Sequence, residues 1–211
     1  YMDNIDGYLT WNPREQQDVP LLPAVYSGYT VYFSSPQAAH DSLDAFCAAQ
    51  ARDFLWGCQL GWNGNWILKP PHREKQQFQH ELCRYRLAAR AFMLEGQLID
   101  ELRPLNEVPL VTHLWNRTKP HNARLPAVMG TLWRDFSQER LAVAVVNTTG
   151  TTQTFDFQVE PERWLKSLGP WSLYDLMPSG KSPLHLPENR RVLLGDLAPR
   201  EIRIFVIAAR Q

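Results

Sequence analysis

Apolar residues recur at two different periods along this chain, and the change of period divides it. In residues 72–102, Phe78, Leu82, Tyr85, Ala89, Phe92, Gly96 and Ile99 fall three and four apart, which predicts one long amphipathic helix. Lys75, Glu81, Arg84, Arg90 and Glu95 mostly avoid that stripe and read as a solvated or partly interfacial face. Ahead of the helix, residues 20–26 are a short apolar run bounded by prolines and read as a buried strand, closed by a turn at Ser27-Gly28-Tyr29. Ser35 is a candidate N-cap with Pro36 at the first helical position, opening a helix through about Ala51 whose Leu43, Phe46, Cys47 and Ala51 recur at helical spacing. Asp53 marks its stop, and residues 54–60 read as the next strand.

From Pro104 to Pro109 the grammar changes. Beyond it lie short period-two segments over residues 108–115, 127–134, 141–147, 153–159, 171–176, 192–194 and 201–207, about seven strands, the count of a two-sheet sandwich. Thr154 out, Phe155 in, Asp156 out and Phe157 in suit a strand half buried against an opposing sheet. The expectation is an α/β portion over residues 1–104 followed by an all-β portion over residues 105–211.

Composition narrows the chemistry. In 211 residues, 22 basic and 22 acidic side chains cancel, and no Lys/Arg run or basic stripe appears, so neither nucleic acid nor another strongly charged partner is expected. No apolar run reaches the roughly 20 residues of a membrane span, so no membrane partner is expected. Cys47, Cys58 and Cys83 fall in segments read as helix, strand and helix, which suits reduced thiols better than a disulfide framework. The histidines never approach a metal-binding spacing, so no metal and no cofactor are expected. The sequons at Asn116 and Asn147 arise often by chance and leave the compartment open. Residues 1–8 read as the interior of a domain, so the chain is expected to be a piece of a longer protein.

The densest chemistry is in residues 56–66, where Trp56, Trp62 and Trp66 stand among Gln59, Asn63, Asn65 and three glycines. A sugar ring offers an apolar C–H face and a rim of hydroxyls, so flat aromatic surface beside carboxamides suits a carbohydrate. Residue types alone leave a second reading open, in which the tryptophans pack in a core.

Residues 19–26, 54–62 and 86–93 resemble the last two barrel strands and the final helix of an uncharacterised glycoside-hydrolase-like (β/α)8-barrel family. That family is distantly similar to α-galactosidase-type enzymes and carries a C-terminal β-sandwich; the resemblance covers nearly the whole chain. It implies that residues 1–104 are the closing βα units of a TIM-type barrel, with 105–211 as the sandwich. Active sites of such barrels lie at the C-terminal ends of the strands. The resemblance therefore brings Tyr26, Tyr29, Gln59, Trp62, Asn63 and Trp66 into one substrate-binding pocket, with Trp56 packed elsewhere. It makes Asp3 and Asp6 candidate catalytic carboxylates after the sixth strand, although Asp3-Asn4 and Asp6-Gly7 are equally ordinary turn chemistry. Since glycoside hydrolysis uses two carboxyl groups across the scissile bond, the resemblance expects the principal pair from a missing N-terminal barrel portion of the same protein, and a carbohydrate as substrate. A non-catalytic carbohydrate-binding protein and a structural interaction module are the alternatives.

Overall fold

The computed structural model describes residues 7–9, 19–33, 36–115, 121–166, 170–177 and 192–209. In chain order the elements are β1 (Gly7–Leu9), α1 (Leu21–Tyr26), β2 (Val31–Phe33), α2 (Leu43–Leu55), α3 (Arg73–Ala88), α4 (Arg90–Met93), β3 (Gln97–Leu102), β4 (Leu110–Trp115), β5 (His121–Pro126), β6 (Val128–Asp135), β7 (Arg140–Asn147), β8 (Gln153–Gln158), β9 (Trp171–Asp175), β10 (Val192–Leu197) and β11 (Ile202–Ala209). The architecture is mixed α/β, and the pairings are mostly antiparallel. A five-stranded sheet runs β3-β6-β7-β11-β9, antiparallel throughout, while β4–β5 and β8–β10 form separate antiparallel pairs. Among the described residues, β1–β2 and a bridge from Phe33 to Gln59 are the parallel pairings.

The period-two pattern of the central strands explains the layering. Ala142, Ala144 and Val146 of β7, with Ile202, Ile204 and Val206 of β11, face Phe46, Phe54, Trp56 and Phe92 of the helical segment. Their alternates Leu141, Val143, Val145, Phe205 and Ile207 face Phe155, Phe157, Leu193 and Leu197 of the β8–β10 pair. The sheet is therefore covered on both sides, and each fully buried aliphatic or aromatic side chain contributes about 1.5–3 kcal/mol of transfer free energy. The helices and the five-stranded sheet share one apolar layer. Residues 103–109 are tied along β8: Leu105 N–H donates to Asp156 O at 2.9 Å, and Asn106 N–H to Asp156 Oδ1 at 2.6 Å.

Three local expectations are corrected. Residues 21–26 are helix α1, not a strand; Pro20 at the N-cap and Pro23 in the first turn stand where a helix leaves N–H groups without intrahelical partners, so the prolines admit the helix rather than bounding a strand. The helix expected from Ser35 begins at Leu43, with Ser42 Oγ accepting from Ala45 N–H at 3.2 Å, and continues through the residues expected to open the next strand. Its end is a Schellman turn: Gly57 N–H donates to Phe54 O and Cys58 N–H to Asp53 O, both at 2.9 Å, with Gly57 at φ +75°. Finally, the long helix stops at Ala88, and Gln97–Leu102 is strand β3, paired with β6. Gly96, counted as an apolar position of the stripe, is the contact point, because a Cβ there would sit 2.3 Å from Arg134 O.

The β6–β7 hairpin carries a pH-dependent lock. Asp135 accepts Ser137 N–H at 2.8 Å, Ser137 Oγ–H at 2.6 Å and Arg140 Nη2–H at 2.6 Å. Burial opposes its charge, but the bonds from Ser137 and Arg140 outweigh it and hold the carboxyl below the usual carboxylate range. A depressed folded pKa stabilises the fold above the unfolded value, and that stabilisation is lost as pH falls through the folded one. Urea midpoints are therefore expected to decline on acidification more steeply for the native chain than for Asp135→Asn; parallel profiles would count against the lock.

Candidate functional site

Parallel pairing sets the direction of the site. β1 runs with β2 from Gly7–Val31 to Leu9–Phe33, and Gln59 continues the set through its bridge to Phe33, its N–H donating to Tyr32 O at 2.8 Å. The segments that follow Phe33 and Gln59 therefore leave on the same side. They meet there: Gln37 N–H donates to Trp62 O at 3.2 Å.

Tyr26 and Tyr29 are not brought to that side. Tyr26 ends α1 and Tyr29 lies in the turn before β2, 86% exposed, so both stand at the N-terminal end of β2 while Trp62 lies beyond the C-terminal end. Their turn is clamped to β3: Leu98 N–H donates to Ser27 Oγ at 3.0 Å, and Gly28, at φ +82°, lies against Gly96 O. The expected convergence does not occur because residues 21–26 form α1 and the strand is supplied by β2, after both tyrosines. Asp3 and Asp6 lie outside the described residues.

The remaining candidates separate by packing. Trp62 is 46% exposed, and the Gln59 side chain is exposed beside it in sequence. Gly61 adopts φ +98°, the left-handed geometry that swings the chain from Leu60 into the Trp62 turn. Asn63 Nδ2–H donates to Gln79 Oε1 of α3 at 2.5 Å. Trp66 sits in a short 3-10 turn, Asn65–Leu68, and is held edge-on by Phe46 at 6.1 Å and His72 at 5.0 Å between ring centroids. Its role in the structure is packing between α2 and α3. Trp56 is buried away from the rim, with the Arg52 guanidinium 4.3 Å over its ring and its Nε1–H donating to Glu101 Oε1 at 3.3 Å. Burial raises the Glu101 carboxyl, with the Arg52 charge pulling it back.

Three contributors escaped the reading of the sequence. Gln37 is buried in the segment after β2, and Gln79 anchors Asn63. Lys75, read as part of the solvated face, is buried with Phe78 and Leu82 on the inner side of α3. Its ammonium donates to Ala39 O at 2.9 Å and Asp41 O at 2.5 Å and lies 5.7 Å from the Phe46 ring centre and 5.5 Å from that of Trp66. The spacing 75, 78, 82 is itself helical and was the available signal. Burial pushes the Lys75 amine below the usual lysine range, with Asp41 pulling it back up.

Chemically, the rim offers an indole face, carboxamides and backbone polar groups. Among the described residues no three His, Cys, Asp or Glu side chains converge as a metal site.

Against known proteins, no family model matches the chain. Over 152 residues it is 26% identical to a candidate glycoside hydrolase of Bacteroides thetaiotaomicron, an alignment covering 69% of this chain and 22% of that protein. The chain thus spans about a fifth of the length of that relative. Among solved structures, a GH27 β-L-arabinopyranosidase of Geobacillus stearothermophilus matches with TM-score 0.44 and 10% identity, covering 100% of this chain and 47% of that one. A candidate α-galactosidase of Bacteroides fragilis matches with TM-score 0.39 and 11% identity, covering 81% and 30%. The chain is distantly similar to glycoside hydrolases.

Proposed function

We propose that this chain supplies the closing strands and part of the carbohydrate site of a glycoside hydrolase. The distant likeness to a candidate glycoside hydrolase over 152 residues carries this reading. The parallel set β1, β2 and Gln59 supports it: with α1 and α2 as crossovers, these are three consecutive strands of a (β/α)8 barrel, and residues 36–41 and 60–66 follow strand ends on the face where such barrels bind substrate. The earlier barrel strands belong to a preceding portion of the parent protein, pairing with β1 and covering Val31 and Phe33, both partly exposed here. The five-stranded sheet and the β8–β10 pair act as the supporting β-sandwich.

In this reading Trp62 stacks on the C–H face of a sugar while Asn63 and Gln59 meet its hydroxyls. With β1 as strand six of the barrel in this reading, Asp3 and Asp6 precede that strand instead of following it and leave the proposed site, and the catalytic carboxylates come from the preceding portion. Tyr26 and Tyr29 fall at the opposite end of β2 and leave the proposed site. Trp66, packed on three sides, is the residue that favours a purely structural role for at least one of the tryptophans.

The test is a titration of the purified chain with D-galactose, L-arabinose and maltose, followed by tryptophan fluorescence, beside an assay on aryl glycosides. Saturable quenching that Trp62→Ala weakens by about tenfold is expected, with no turnover, since a closed barrel needs roughly 250 residues. Binding untouched by the substitution would remove Trp62 from the site. Robust hydrolysis by this chain would overturn the placement of the catalytic carboxylates in the preceding portion.

A further inference from the structure

We propose that Lys75 is the positioning residue of the rim, its ammonium fastening residues 36–41 so that Gln37 holds Trp62 in the orientation a sugar meets; this rests on the carbohydrate site proposed above. Lys75 comes from α3, the element that also anchors Asn63 through Gln79. From there its amine reaches two carbonyls, Ala39 O and Asp41 O, of the segment that follows β2. That segment is folded back on itself, with Ala38 N–H donating to Asp41 Oδ2 at 3.1 Å, and it is joined to the neighbouring rim segment by the bond from Gln37 N–H to Trp62 O.

The surroundings make the contact unusual for a lysine. A buried ammonium is costly unless its hydrogens are accepted and its charge is offset. Here the two carbonyls accept, and the π-faces of Phe46 and Trp66 supply the negative surface. The same Trp66 belongs to the rim segment that carries Trp62, so one cation touches both segments, through hydrogen bonds on one side and a ring on the other. Lysine at this position of an otherwise apolar stripe, Phe78 and Leu82, has a structural cost that a methionine would avoid. Its use is geometric: a neutral side chain of the same length fills the space but fixes neither carbonyl.

The experiment compares Lys75→Met with the native chain by amide hydrogen exchange and by sugar titration with the same three sugars. Phe78→Leu serves as a control that perturbs the same helix face without the clasp. In Lys75→Met, exchange at Gln37 and Ala38 is expected to accelerate by about tenfold while α3 amides stay protected. Affinity should fall by a similar factor, and Phe78→Leu should lower the melting temperature with affinity unchanged. If Lys75→Met does not fold, Lys75→Gln takes its place. Unchanged exchange at Gln37 and Ala38 overturns the clasp. Faster exchange with native-like affinity overturns its role at the site. If the native chain binds none of the sugars while Lys75→Met still shows the faster exchange, the carbohydrate reading is overturned and Lys75 is a structural clasp only.

Discussion

Trp133→Ala is expected to cost about 3–5 kcal/mol of unfolding free energy, the range for emptying a fully buried indole site. Trp133 is wholly buried on the helix-facing side of β6, and its Nε1–H donates to Thr131 Oγ1 at 3.0 Å. Its ring closes against the Schellman turn of α2, where a Cβ on Gly57 would lie 2.7 Å from the ring edge. The same contact makes Gly57→Ala harmful, through a strained left-handed φ and through the collision. Combining the two gives a sharper check than either alone: Gly57→Ala should be milder in the Trp133→Ala background, since the colliding ring is gone. Urea unfolding of the four chains measures this, and strict additivity would deny the contact its energetic role.

Asn147→Ala is expected to be comparably severe, about 3–5 kcal/mol, because it strips several partners at once. The Asn147 side chain is fully buried at the end of β7. Its Nδ2 donates to Thr151 O at 2.7 Å, Ala198 O at 2.9 Å and Leu197 O at 3.2 Å, and its Oδ1 accepts from Thr149 N–H at 2.9 Å. One carboxamide thereby holds the β7–β8 turn and the β10–β11 turn together. Asn147→Asp is a useful companion, since it keeps the acceptor and loses the donors; it should recover only a minor part of the loss. A midpoint close to the native one for Asn147→Ala would show that water replaces these bonds without cost. This is also the asparagine of the second sequon, and its burial leaves the folded chain no acceptor there.

The strands of the all-β region were legible because alternation and turn residues agree. Each period-two segment read in this region contains or overlaps an observed strand, and among the described residues of the region β5 was missed, since in His121–Pro126 only Ala123 and Leu125 alternate with polar residues and Pro126 closes the run. The first hundred residues were harder for a physical reason. The body of α2 shows its helical spacing, but its last turn, Phe54-Leu55 after Asp53, joins the apolar residues that follow into a short run that period cannot tell from a buried strand, and the turn at Gly57 decides where the helix ends. Likewise Phe92, Gly96 and Ile99 continue a helical spacing by coincidence, while the pairing of β3 with β6 decides the outcome through contacts far away in sequence. Of the candidate site, the Trp62-Asn63 segment was visible in its composition. Gln37, Lys75 and Gln79 were not, because their place depends on which segments leave neighbouring strands on the same side.

The sheet order β3-β6-β7-β11-β9 has a bearing on how the chain is made. The latest strand in sequence, β11, is not at an edge but lies between β7 and β9, so the sheet cannot close until residue 209 has left the ribosome. The helix-side apolar layer that Ile202, Ile204 and Val206 complete is synthesised far earlier, and that part of it stays uncovered in the meantime. A nascent chain in that state is a client for chaperones that shield hydrophobic segments, and slow elongation between α2 and β11 would lengthen its exposure.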